Sequence, residues 1–413
     1  MVAAIVGSGI ASKTAAETLL AGLADKDELI IITRDERVFY SRVLLADYIS
    51  GDLGREELML ASSIEGDPRR ARFVRNTVSS IDIANRSVGL AGGSSVRYDK
   101  LIIASGASPQ RLDLESSRLA GIFYLRDLED ADAIREEASR VETCTVIGGG
   151  LVSLKAACAL NRLGKRVTIL TGSGRLLSLV ADATASELVQ EILLGKGIEI
   201  RFNAEVRCFQ GSAGRVTASV LQDGSTVDGE MVIIGKGVRP NLDFVQGTEI
   251  EVDKGILVDD RMETTAKGVF AAGDVAQSAD LLNRRSALFT LWPDAAVQGR
   301  VAASNVLGRE KRYTGGLSMN SVVISDVPFI FLGMVRETDC VGCETYKRRS
   351  AGSGFYRKIV TRNGRLVGAL LAGNIDYAGM LHWDIRSGRQ IENPEDYLSL
   401  DGLTRTYISR VSA

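Results

Sequence analysis

Short apolar runs, several ending at glycine, recur along the first two-thirds of the chain, and stretches of helical period lie between them. Residues 3–6, 29–33, 100–104, 144–147, 166–170, 231–234 and 269–271 read as strands. Residues 13–23 and a segment beginning near Ser153 read as helices. This βαβ rhythm predicts parallel sheets covered by helices. From about Tyr313 the texture changes. Residues 322–324, 329–332, 355–360 and 366–371 resemble strands separated by turns, and residues 377–385 read as a helix. That end is expected to form a separate α+β domain.

Two strand-to-helix junctions carry glycines at matching positions. The first is Val6-Gly7-Ser8-Gly9-Ile10-Ala11-Ser12, and the second is Ile147-Gly148-Gly149-Gly150-Leu151-Val152-Ser153. The first glycine of such a unit makes the tight turn, and the second lets backbone approach a pyrophosphate at the helix N-terminus. Asp35 stands about 20 residues beyond the first motif, where an acid bonds an adenosine ribose. Arg34 and Glu36 flank it. Two such units in one chain predict two dinucleotides, one flavin and one nicotinamide.

Composition narrows the class further. A chain of 413 residues accommodates two or three domains, and its formal net charge of -2 makes no case for nucleic acid. No stretch approaches the roughly 20 apolar residues of a membrane span. The N-terminus enters a strand at once, so a cytoplasmic protein is expected. Five cysteines are too few for a disulfide framework, and Cys340 and Cys343 form the one close pair. With no second CxxC and a single histidine, His382, no metal site is expected. The pair is expected to be two reduced thiols in a loop, the alternative being a redox dithiol.

The segment from Thr264 through Gly273-Asp274-Val275 resembles the second FAD fingerprint of the pyridine nucleotide-disulfide oxidoreductase class. The turn Ala104-Ser105-Gly106, the run Gly237-Val238-Arg239-Pro240-Asn241 and the stretch from Trp292 to Gly299 are similar to further motifs of that class. The resemblance implies a glutathione reductase-like α/β fold. Its expected parts are an FAD domain at 1–110 and 235–308, an NAD(P) domain at 111–234, and a C-terminal α+β dimerisation domain at 309–413. FAD would be held by Gly7, Gly9, Ser12, Asp35, Arg42, Ala104, Ser105, Gly106, Gly273, Asp274 and Trp292. NAD(P)H would be held by Gly148, Gly150, Ser173 and Arg175. Disulfide reductases of the class carry a CxxxxC dithiol near residues 39–45, where this chain has no cysteine. It is more similar to nitrite reductase flavoproteins and to rubredoxin and ferredoxin reductases. That branch implies hydride transfer from NAD(P)H to FAD, electron transfer to an iron–sulfur or other redox protein or subunit, and a homodimer.

Several positions depart from the pattern. Relatives pair a glutamate after the nicotinamide turn with a lysine near the flavin, and here those positions hold Lys155 and Asp47. An opposite-charge pair survives exchange of its ends, so Asp47 and Lys155 are expected to touch beside the flavin as the catalytic pair. Thr171 stands where NAD-specific relatives carry a glutamate, which leaves Ser173 and Arg175 to bind a 2'-phosphate and suggests NADPH. Lys236 is expected either to offset phosphate charge or to reach solvent. The alternative function is an FAD relay subunit that has lost nicotinamide binding.

Overall fold

The computed structural model describes residues 1–62, 64, 71–350, 355–399 and 402–404. Its α-helices are α1 (Ile10–Leu20), α2 (Leu45–Ser50), α3 (Leu128–Ala138), α4 (Leu151–Arg162), α5 (Ala183–Gly195), α6 (Trp292–Val306) and α7 (Ala378–Ser387). The chain forms two compact units, each assembled from separate stretches. One comprises residues 1–43, 55–108 and 238–317, the other residues 44–54, 109–237 and 318–413.

The first unit is built on a five-stranded parallel sheet. Its order is Val269–Ala271, Lys100–Ile103, Val2–Val6, Glu28–Thr33 and Arg72–Arg75. Phe270, Ile102, Ile5, Ile31 and Phe73 fall in one register row across the five strands. Ile5, Ile31 and Ile102 are fully buried, as expected for a sheet covered on both faces. Helices α1 and α6 lie against each other. Thr14 Oγ1 donates to the Ala296 carbonyl at 2.9 Å, and a Cβ on Gly299 would overlap the Ala11 carbonyl.

The second unit repeats the plan. Its parallel sheet runs Glu199–Phe202, Arg166–Thr171, Thr143–Ile147, Met231–Ile234 and Ile122–Tyr124. The matching row is Ile200, Ile169, Val146, Ile233 and Phe123. The same unit holds a five-stranded antiparallel sheet ordered Met319–Ile324, Val327–Gly333, Arg365–Ala372, Phe355–Arg362 and Glu344–Ser350, accompanied by α7. The α/β class with two dinucleotide-type sheets and a further antiparallel domain is therefore present.

Details differ from the sequence reading. Helix α1 begins at Ile10 rather than residue 13, because the glycine turn delivers the chain straight into it, and it ends at Leu20 just before Gly22. The strand Glu344–Ser350 was not expected. It is almost wholly polar, and its conformation is set by antiparallel pairing with Phe355–Arg362. That partner strand buries Tyr356, Arg357 and Lys358 in succession.

Candidate active site

Gly7 follows the first strand with φ +118°, a region L side chains avoid, and a Cβ there would overlap the Ala104 carbonyl oxygen. Gly9 is different. It is the N-cap of α1 at φ -81°, and a Cβ on it would meet nothing within 4 Å. The fold itself does not demand glycine at that place, and the helix N-terminus is open there. No side chain caps α1. Ser12, in the third-glycine position, is fully buried and donates to the Gly7 carbonyl at 2.7 Å, so the serine braces the turn.

Around this turn the first unit gathers most of the flavin-site residues named from sequence. Asp35 Oδ2 accepts from Ser8 Oγ and Arg42 Nη2, both at 2.6 Å, and Arg42 also lies 4.8 Å over the Tyr40 ring. Ala104, Ser105 and Gly106 form a turn held by Asn241. Its Nδ2 donates to the Ser105 carbonyl at 2.8 Å, and its backbone N–H donates to Gly106 at 3.0 Å. Gly273, at φ +80°, donates its N–H to Gln298 Oε1 at 2.8 Å and places the half-buried Asp274 at the end of its strand. Trp292 opens α6 and is 38% exposed. Ser8 and Gln298 escaped the sequence reading, because nothing in a single sequence marks a side chain that braces another.

The second unit reproduces the turn. Gly148 has φ +121°, and a Cβ there would overlap the Gly235 carbonyl. Gly150 caps α4 at φ -89° with nothing within 4 Å of a Cβ, and again no side chain caps the helix. Ser153 is buried and donates to the Gly235 carbonyl at 3.2 Å. Among the other helices, α2, α6 and α7 also lack a side-chain cap, whereas α3 and α5 carry one. Asp127 closes a capping box on α3, and Asp182 accepts from the Ala185 N–H on α5. What sets α1 and α4 apart is the combination of an uncapped N-terminus, a tight glycine turn and open space at the N-cap glycine, which fits two anionic pyrophosphates.

The expected contact between Asp47 and Lys155 is present. Lys155 Nζ lies 2.8 Å from Asp47 Oδ2, both side chains being partly exposed. Lys236 Nζ donates to Glu205 Oε2 at 2.8 Å in an exposed pair. Ser173 Oγ lies 3.2 Å from Thr171 Oγ1, and Arg175 lies 4.0 Å from Glu337. Cys340 and Cys343 are joined as a disulfide with Cα atoms 5.8 Å apart, which corrects the expectation of reduced thiols. Gly342, at φ +74°, permits the tight turn that brings them together. Among the described residues, no group of three or more His, Cys, Asp or Glu side chains is placed to hold a metal.

Residues 1–299 match the family described as pyridine nucleotide-disulphide oxidoreductase, and residues 319–388 match the rubredoxin NAD+ reductase C-terminal domain. The chain belongs to the pyridine nucleotide-disulphide oxidoreductases. Rubredoxin-NAD(+) reductase of Pseudomonas putida is 30% identical over 310 residues, covering 75% of this chain and 80% of that one. Nitrite reductase [NAD(P)H] of Bacillus subtilis (strain 168) is 28% identical over 372 residues, covering 90% of this chain and 45% of that one. Putidaredoxin reductase in its covalent complex with putidaredoxin shares the fold, with TM-score 0.90 and 23% identity over 100% of this chain and 99% of that one. Enzymes of the family use FAD and NAD(P)H, the two dinucleotides that the open ends of α1 and α4 fit.

Proposed function

We propose that the protein is an FAD-dependent oxidoreductase that takes a hydride from NAD(P)H and delivers electrons to a small redox protein, of iron–sulfur or related type. The observation that carries this reading is the repeated glycine turn with an uncapped helix, once in each unit. In the first unit, Gly7, Gly9 and Ser12 shape the pyrophosphate cradle. Asp35, with Arg42 on its carboxylate, would meet the ribose, and Ala104, Ser105, Gly106, Gly273, Asp274 and Trp292 would hold the rest of FAD. In the second unit, Gly148 and Gly150 would hold the nicotinamide dinucleotide, with Ser173 and Arg175 nearby in sequence. When bound, FAD supplies the hydride acceptor and the outlet for single electrons. The chain's residues orient the two nucleotides and balance their charge.

Asp47 and Lys155 are proposed as the charged pair of the catalytic centre. What supports this is their own ion pair, the reversed-charge counterpart of the pair that the family resemblance implies. The division into domains 1–110 with 235–308, 111–234 and 309–413, a homodimer through the last of these, and a cytoplasmic location where NAD(P)H is available belong to the same proposal.

Anaerobic stopped-flow reduction by NADH and by NADPH tests it. Rapid bleaching of the flavin absorbance is the expected result. A second reading, a relay subunit that no longer binds nicotinamide, is favoured by the altered Ser153, Lys155 and Thr171. It would be recognised by a flavin that dithionite reduces and neither nucleotide does.

A further inference from the structure

In a dinucleotide-binding fold, an acid at the end of the second strand bonds the ribose 2'-hydroxyl, and its loss admits a 2'-phosphate. Here that strand, Arg166–Thr171, ends in a buried threonine. A carboxylate nevertheless stands at the strand end, delivered from elsewhere. A Cβ built on Gly172 would overlap Glu205 Oε1 and lie 2.5 Å from Glu205 Cδ. Gly172 has no positive φ to account for it. The close approach of Glu205 does.

The route of Glu205 to this place is well braced. Phe202 ends the neighbouring strand in register with Thr171. The chain then folds back over the strand end. Ala204 N–H donates to the Thr171 carbonyl at 2.9 Å, and Gln222 N–H donates to the Glu205 carbonyl at 2.9 Å. Glu205 Oε2 accepts from Lys236, which follows the strand Met231–Ile234. In the sheet order, Arg166–Thr171 and Thr143–Ile147 lie between the two partners' strands. The ion pair therefore spans the carboxyl ends of the strands that carry Thr171 and the Gly148 turn, which is where such sheets bind nucleotides.

We propose that Glu205 is the ribose-reading carboxylate of the nicotinamide site and that the protein accordingly selects NADH over NADPH. Its Oε1 accepts from ribose hydroxyls, while Lys236 holds Oε2 and fixes the carboxylate's orientation. A 2'-phosphate would meet a negative charge at the strand end and would have to draw Lys236 away from Glu205. This reverses the NADPH preference suggested by Thr171, Ser173 and Arg175, because the missing acid is replaced from a neighbouring loop. The inference rests on the reading that the second glycine turn holds a nicotinamide dinucleotide.

The test is calorimetric titration of the FAD-loaded protein with NAD+ and with NADP+, for the wild type, Glu205→Gln and Gly172→Ala. The expected result is at least tenfold tighter binding of NAD+ by the wild type. Glu205→Gln should shrink that ratio at least tenfold, and Gly172→Ala, which evicts the same carboxylate, should move it in the same direction. Equal or tighter binding of NADP+ by the wild type, or a ratio unchanged in Glu205→Gln, overturns the proposal while leaving the nicotinamide site in place. If neither nucleotide binds any of the three proteins, the nicotinamide reading falls and this proposal falls with it.

Discussion

Lys155 Nζ sits 2.8 Å from Asp47 Oδ2, and seven residues further along α4 Arg162 bonds Asp52, just beyond the end of α2. Two turns of α4 thus present two cations to two carboxylates, and the helices are tied at both ends of their contact. The geometry predicts that the Asp47–Lys155 pair tolerates exchange better than loss. Lys155→Asp sets two carboxylates face to face, costing about 1 kcal/mol at a partly exposed site, and it should slow flavin reduction. The exchanged double variant, Asp47→Lys with Lys155→Asp, should recover both melting temperature and rate. A double variant no better than the single one would show that the pair is not coupled.

The paired glycines separate folding from binding. A Cβ at Gly7 collides with backbone in a left-handed turn, so Gly7→Ala should fail to accumulate as folded protein. Gly9→Ala and Gly150→Ala meet empty space at ordinary φ and should melt like the wild type. Gly9→Ala should nonetheless lose FAD on gel filtration. Gly150→Ala should bind nicotinamide dinucleotide about tenfold more weakly, or about 1.4 kcal/mol. A Gly150→Ala variant with unchanged affinity would remove α4 from the nucleotide site.

Much of this was legible in the sequence because it is local. The apolar runs that form the Ile5 and Val146 rows, and the glycines that turn the chain after them, depend on neighbours within a few residues. The charge reversal at Asp47 and Lys155 was legible too, though only through its resemblance to a pair in relatives. Glu205 was not. Its role depends on a loop folding back beside Gly172, and its partner Lys236 lies 31 residues away. The strand Glu344–Ser350 was hidden for a related reason: a polar segment acquires strand geometry from its neighbour and carries no period of its own. The open space at the N-caps of α1 and α4 gains meaning only beside the backbone that crowds Gly7 and Gly148, a comparison that needs coordinates.

Cys340 and Cys343 close a very short loop beside the fully exposed Val341. A cross-link of that span removes little chain entropy, about 1–2 kcal/mol. Replacing both cysteines by serine should lower stability by no more than that and should leave turnover with NAD(P)H and a redox-protein acceptor unchanged. Loss of turnover in the double variant, with FAD retained, would make the pair an electron acceptor.

Asp182 is a buried charge of the second unit with several partners. Fully buried, it caps α5 through the Ala185 N–H, accepts the Tyr356 hydroxyl at 2.7 Å, and pairs with Lys358 at 3.1 Å and Lys347 at 3.4 Å. Burial pushes its carboxyl up, but the Tyr356 hydroxyl, the Ala185 amide and Lys358 together pull it down further, so the carboxyl lies below its ordinary value. The Tyr356 hydroxyl moves the opposite way, raised first by burial and then by Asp182. A carboxyl whose folded pKa lies below the unfolded value of about 3.9 adds stability above that pH and loses it as the pH falls through the folded value. Asp182→Asn leaves the buried Lys358 only the more distant Glu337, 4.0 Å away, as counter-charge and should cost about 3 kcal/mol at pH 7. Adding Lys358→Met should recover part of the loss, because the poorly compensated buried ammonium disappears with its partner. In urea unfolding, the gap between wild type and Asp182→Asn should hold from pH 7 to pH 5 and narrow below about pH 4. A gap that persists undiminished to pH 3 would mean that the Asp182 negative charge contributes nothing and that hydrogen bonding alone explains its burial.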